Sequence, residues 1–273
     1  MKICVVNIAP IPAEYLDQAR QTIDAGCGAV LNPGTQLSMR VPAKGIPSMP
    51  ECLEDYRNPY YEHLVLSETI ETILAADREG FDAIVVNCFD DPGVRQARSL
   101  IRTPLFGLSE PTFHLACQLG HKLGALVPDM PGQVGYVQRQ IDAMGLAGRM
   151  IVNGVRAERK RFTASMAEAV TNPEAMVARL REQGRELVRD GADVVVMACG
   201  GLGQIAGMVG FHSLECDGAQ VPVILPLPAA IKTAELMVAM HQGVGLPVPS
   251  QAHAGKPLPA EDLVRFRKAY GKD

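Results

Sequence analysis

Short runs of Val, Ile and Leu recur along this chain, separated by longer stretches of helical periodicity. That alternation constrains the fold more than any other feature. The runs fall at residues 2–7, 35–40, 83–88, 104–107, 123–127, 149–153, 193–198 and 222–226. Strands that alternate with helices build βαβ units, and hence a mainly parallel sheet flanked by helices. At 273 residues the chain exceeds the usual size of a single hydrophobic core, so it reads as α/β in two lobes. Strands 2–7 and 83–88 in one half have a similar outline to 123–127 and 193–198 in the other, a parallel in pattern that sets Cys88 and Cys199 at matching positions.

Helical spacing is clearest in three places. Leu64, Ile70, Ile73 and Leu74 mark a helix from Tyr61 to Glu79. Val134, Val137, Ile141 and Met144 repeat at three and four, and Gly145 then stands where a left-handed C′ residue belongs. Asn172-Pro173-Glu174 supplies a cap, a proline in the first turn and an acid on the helix dipole; Met176, Leu180, Leu187 and Val188 follow as the buried face. Residues 41–60, with Pro42, Pro47, Pro50 and Pro59, read as a surface excursion and a candidate lid. Residues 210–221 read as a second irregular stretch.

Charge and hydropathy exclude some classes of function. The net charge of −4 leaves no broad basic field for nucleic acid. The densest basic stretch, Arg156, Arg159, Lys160 and Arg161 beside Glu158, reads as a solvated loop or helix start. No segment approaches the ~18 unbroken apolar residues of a membrane span. Met1-Lys2-Ile3-Cys4-Val5-Val6 enters a strand directly, so no signal peptide is expected, and none of the seven cysteines forms a C-x-x-C pair. A cytoplasmic protein with reduced thiols is the natural expectation.

Of those cysteines, Cys88 and Cys199 stand apart. Each follows an apolar run, Ala83 to Asn87 and Asp193 to Ala198. In an open α/β sheet the carboxyl ends of strands are where ligands bind. Burial as a small hydrophobe is the ordinary fate of a cysteine and accounts for Cys4 and Cys117, while Cys27, Cys52 and Cys216 lie in loop-like sequence. After Cys88, Asp91-Pro92 reads as a helix cap, and a helix amino end favours the thiolate. After Cys199, Gly200, Gly201 and Gly203 let backbone N–H groups approach a ligand. Ser109 or Thr112 reads as the cap of the next helix.

Rival motifs are weaker. Gly201-Leu202-Gly203-Gln204-Ile205-Ala206 fits the dinucleotide fingerprint, but Gly207 and Gly210 interrupt the helix it would open and no acid follows for a ribose. His114 and His121, seven apart, read as one solvated helix face without a third metal ligand.

The residues around the cysteines resemble the aspartate/glutamate racemase superfamily, in its hydantoin and allantoin racemase branch. Cys88-Phe89-Asp90-Asp91-Pro92-Gly93 is similar to that branch's first cysteine motif. Pro104 to Glu110, Leu119-Gly120-His121-Lys122 and Cys199-Gly200-Gly201-Leu202 carry the likeness onward. The resemblance implies a cofactor-independent racemase or epimerase with Cys88 and Cys199 as an acid–base pair on opposite faces of a carbon next to a carbonyl. It implies a pocket of Asn7, Phe89, Asp90, Val127, Pro128, Gly200 and Gly201, a 5-substituted hydantoin or related cyclic ureide as substrate, and a homo-oligomer. Asn7-Ile8-Ala9-Pro10 and Val127-Pro128-Asp129 depart from the Asn-Pro-Asn-Thr and Thr-Thr elements common in the family, which predicts a less polar pocket. The resemblance also implies two pseudo-symmetric α/β lobes with the active site between them, residues 1–117 plus 226–273 for the lobe carrying Cys88 and 118–225 for the lobe carrying Cys199. A maleate-type cis–trans isomerase or malonate-type decarboxylase shares that fold. A nucleotide-dependent oxidoreductase and a non-catalytic binding protein are the alternatives from other classes.

Overall fold

The computed structural model describes residues 1–47 and 58–272. Its elements run β1 (Lys2–Val6), α1 (Leu16–Cys27), β2 (Gln36–Arg40), α2 (Pro59–Asp77), β3 (Ala83–Val86), α3 (Val94–Ala97), β4 (Leu105–Phe106) and α4 (Ser109–Leu119). The second lobe follows with β5 (Leu123–Asp129), α5 (Gln133–Ala143), β6 (Met150–Arg161), α6 (Phe162–Thr171), α7 (Pro173–Arg189), β7 (Val194–Met197), α8 (Gly200–Met208), β8 (Ser213–Cys216) and β9 (Ala219–Ile224). The chain then continues through α9 (Pro226–Val244) and α10 (Ala260–Ala269).

The strands form two sheets, ordered β2-β1-β3-β4 and β6-β5-β7-β9-β8, parallel throughout except for the β8–β9 pair. β3, β5 and β7 are continuous apolar runs because helices cover both faces of each sheet. The same order of crossovers recurs in both lobes. In each, the chain reverses direction beside a central pair, β1 with β3 and β5 with β7, and the crevice at such a switch point is where α/β sheets bind ligands. Val6 pairs with Val86 and Leu126 with Met197, so the residues after these four strands emerge together.

One core runs through both lobes: Val5, Val85, Phe113, Val127, Val196 and Ile231 belong to a single buried cluster. α9 packs on α4 and β3, and Glu235 fastens it to the α1–β2 connection by accepting from Asn32 N at 2.9 Å and Thr35 Oγ1 at 2.7 Å.

Several expectations need correction. The basic stretch at Arg156–Arg161 is not loop or helix but the second half of β6; Arg156 pairs with Asp190 at 2.5 Å and Arg159 with Glu186 at 2.6 Å. The stretch at 210–221 is not irregular, since β8 and β9 form an antiparallel hairpin turning at Asp217-Gly218. Cys216 is therefore buried on a strand, and Cys27 is the buried last residue of α1. On α5 Val137 and Ile141 are buried as expected and Met144 packs against the core, but at the helix start Val134 is 40% exposed while Gln133 is 2% exposed. The Asn172 cap stands as expected, its side chain accepting from Ala175 N at 3.1 Å, and Gly145 takes φ +72 after α5. Of the 41–60 excursion, residues 48–57, and with them Cys52 and most of the candidate lid, lie outside the described residues.

Candidate active site

A cleft of about 970 Å³ opens between the lobes where the two switch points face each other. Asn7, Asn87, Cys88, Phe89 and Asp90 enter it from the ends of β1 and β3, and Pro128, Ala198, Cys199, Gly200 and Gly201 from the ends of β5 and β7. The two expected cysteines therefore line one cavity from opposite lobes, both half-buried. The turns that carry them touch: a Cβ built on Gly200 would lie 3.4 Å from Asn87 Oδ1. Of the other expected residues, Asn7, Phe89, Asp90, Pro128, Gly200 and Gly201 reach the cleft; Val127 is fully buried in β5 and does not line it, because strand alternation turns its side chain into the core.

Cys199 is the N-cap of α8, in extended conformation at φ −160, and its carbonyl accepts from Gly203 N at 2.9 Å. The first N–H groups of a helix have no intrahelical acceptor, so Gly200 and Gly201 offer donors beside this thiol. The fingerprint glycines lie inside α8, which runs through Gly207 to Met208. Gly203 is there for packing: a Cβ would meet Pro226 Cδ at 2.5 Å. That contact replaces the dinucleotide reading of this stretch.

The surroundings of Cys88 differ from expectation. Asp91 does not cap the short helix after it; α3 begins from a left-handed Gly93. Asp91 itself takes φ +51 and turns its carboxylate onto the start of α4, accepting from Leu108 N at 2.6 Å, from Ser109 N at 3.1 Å and from the Ser109 hydroxyl. It, rather than Ser109 or Thr112, is the acceptor at that helix end, and Gly107 is required there because a Cβ would overlap the carboxylate. Burial outweighs these bonds and raises the Asp91 pKa to about 6.

Amide side chains span the cleft floor. Asn87 Nδ2 donates to Asn7 Oδ1 at 2.9 Å, and Gln204 of α8 donates to Asn87 Oδ1 at 3.1 Å, joining the two lobes next to both cysteines. Asn87 and Gln204 had no signal in the sequence beyond their neighbourhood. The walls are apolar: Ala19 and Ile23 of α1, Val65 and Leu66 of α2, Phe162, Met166, Ala167 and Val170 of α6, and Ile205 of α8. α6 is fastened from behind by buried Glu158, which accepts from Ser165 Oγ at 2.6 Å and Arg179 Nη2 at 3.2 Å. Glu62 and Asp90 bring acidic side chains to the cleft, and among the described residues no Lys or Arg lines it.

His114 and His121 do not share a helix face, because α4 ends at Leu119, and no group of His, Cys, Asp and Glu suited to a metal occurs among the described residues. Among those residues, too, no helix is long and apolar enough to cross a membrane.

Comparison with known proteins gives the same picture. The model of the Asp/Glu/Hydantoin racemase family matches residues 18–234. A hydantoin racemase of Pseudomonas sp. (strain NS671) is 29% identical over 229 residues, which cover 77% of this chain and 84% of the relative. One from Paenarthrobacter aurescens is 28% identical over 245 residues, covering 88% and 92%. The solved structure of an allantoin racemase from Klebsiella pneumoniae has the same fold, with a TM-score of 0.72 at 23% identity over 95% of this chain and 94% of that one.

Proposed function

The chain belongs to the Asp/Glu/Hydantoin racemase family, and we propose that it is of the hydantoin and allantoin branch and inverts a stereocentre next to a carbonyl in a neutral cyclic ureide, with Cys88 and Cys199 as the two bases. The observation that carries this reading is the presence of both cysteines in one cleft, each after the central strand of a different sheet. One thiolate removes the proton from the ring carbon and the opposite thiol returns one to the other face. Charge passing to the ring oxygens meets the N–H groups at the start of α8. The lining favours a neutral ring over a dicarboxylate: Asn7, Asn87 and Gln204 offer amides suited to a ureide, whereas a dianion would meet Glu62 and Asp90 with no Lys or Arg, and only His63 as a basic group, among the described lining residues.

The test is proton exchange in D₂O, followed by NMR, on single-enantiomer 5-substituted hydantoins. The intact protein is expected to introduce deuterium with inversion, and both Cys88→Ala and Cys199→Ala to lose inversion. Inversion that survives either substitution would end the two-thiol reading. Absence of exchange on every hydantoin would end the substrate assignment.

A further inference from the structure

The loop carrying Cys88 belongs to the first lobe, yet much of what holds it comes from the second. Three side chains on α5, spaced at i, i+3 and i+7, reach across to it. Gln133 Nε2 donates to Asp90 Oδ1 at 3.3 Å, the Tyr136 hydroxyl to the Asp90 carbonyl at 3.1 Å, and Gln140 Nε2 to the Phe89 carbonyl at 2.9 Å. The Gln140 amide also donates to Ser109 Oγ at 3.4 Å, and the Ser109 hydroxyl in turn donates to Asp91. With Gln204 on Asn87, residues on both sides of Cys88 are gripped from the opposite lobe.

Gln140 stands apart within this stripe. Unlike Gln133 and Tyr136, it is absent from the cleft lining, so its amide meets main chain rather than substrate. Its Oε1 is buried and accepts no hydrogen bond among the described residues, which leaves the donor half of the amide as its polar role. We propose that Gln140 is a positioning residue for the reaction: by holding the Phe89 carbonyl from the second lobe, it sets where Cys88 stands relative to Cys199. The consequence for inversion rests on the two-thiol reading above. Two bases on opposite faces of one carbon tolerate little slack, since a displacement of ~1 Å costs about 100-fold in rate.

The test is Gln140→Met, which keeps length and volume and removes the amide, and with it the donated bonds to the Phe89 carbonyl and Ser109 Oγ. Melting temperature verifies folding, and Tyr136→Phe, which removes the hydroxyl on the Asp90 carbonyl, is the second variant. Inversion is expected to fall by roughly 10- to 100-fold in Gln140→Met with KM nearly unchanged. Exchange without inversion should rise for the one enantiomer whose proton Cys199 removes, because reprotonation from the Cys88 side now lags. Alkylation of Cys88 by iodoacetamide, read by peptide mass against Cys199, should shift several-fold, and in the same direction but less for Tyr136→Phe. A wild-type alkylation ratio in both variants overturns the proposal. So does a loss of exchange and inversion in equal proportion from both enantiomers. Failure of the intact protein to invert any hydantoin counts against the substrate assignment, and inversion that survives Cys88→Ala or Cys199→Ala against the two-thiol reading; in either case the alkylation ratio still decides the role of Gln140.

Discussion

Replacing Asp91 by Asn separates what this carboxylate does for the site from what it does to the fold. The side chain accepts from Leu108 N, Ser109 N and the Ser109 hydroxyl, yet burial first, with a smaller contribution from Glu110, raises its pKa from 3.8 to about 6. A raised value means that the folded chain holds the proton more tightly than the unfolded one. The group's contribution to stability is therefore complete below 3.8 and is lost as pH rises through about 6. A rise of ~2 pKa units at ~1.4 kcal/mol each places the loss at ~3 kcal/mol above neutrality. Asn does not titrate. The difference in unfolding free energy between Asp91→Asn and the parent should thus move by ~3 kcal/mol in favour of Asn between about pH 4 and about pH 8. Activity should move the other way, because an ionised acceptor holds the N–H groups of α4 more strongly than a neutral amide and so steadies the loop three residues from Cys88. Protonation of the thiolate base lowers inversion in both proteins as pH falls; the parent is expected to show a further loss as pH falls through about 6, which Asp91→Asn, slower throughout, should lack. Urea unfolding of both proteins at the two pH values, with the pH profile of inversion, measures both effects. A stability difference that does not change with pH would refute the reasoning.

Two further expectations concern the packing beneath the site. Gly203→Ala places a Cβ 2.5 Å from Pro226 Cδ on a rigid ring, so α8 must shift. A loss of ~1–3 kcal/mol by thermal or urea unfolding is expected, together with slower inversion because Cys199 caps that helix; an unchanged melting temperature would show that α8 and α9 have room to separate. Burial pushes the thiols of Cys4 and Cys27 up to about 12, so iodoacetamide at about pH 8 should leave both unmodified in the folded protein, and native-state labelling of either would contradict their burial.

What the sequence made legible was local. β1, β3, β5 and β7 are short unbroken apolar runs, and Cys88 and Cys199 follow two of them, so strand ends and thiols could be placed from spacing alone. What escaped depends on partners far along the chain. The charges of Arg156 and Arg159 look solvated until Asp190 and Glu186 are set beside them, 34 and 27 residues on. Asp91 looks like the cap of the helix after it, but its acceptors serve a helix end 17 residues later, which a φ of +51 allows it to reach. α5 is the most instructive case. Its apolar spacing predicted the buried Val137 and Ile141 correctly and Val134 wrongly, and gave no sign that Gln133 and Gln140 face the Cys88 loop. A polar stripe at i, i+3 and i+7 reads as a solvated face whenever its counterpart is missing, and here the counterpart is main chain from the other lobe. Each cysteine can be placed from its own half of the sequence; their placement relative to each other cannot, because the bonds that fix it exist only once both halves have folded together.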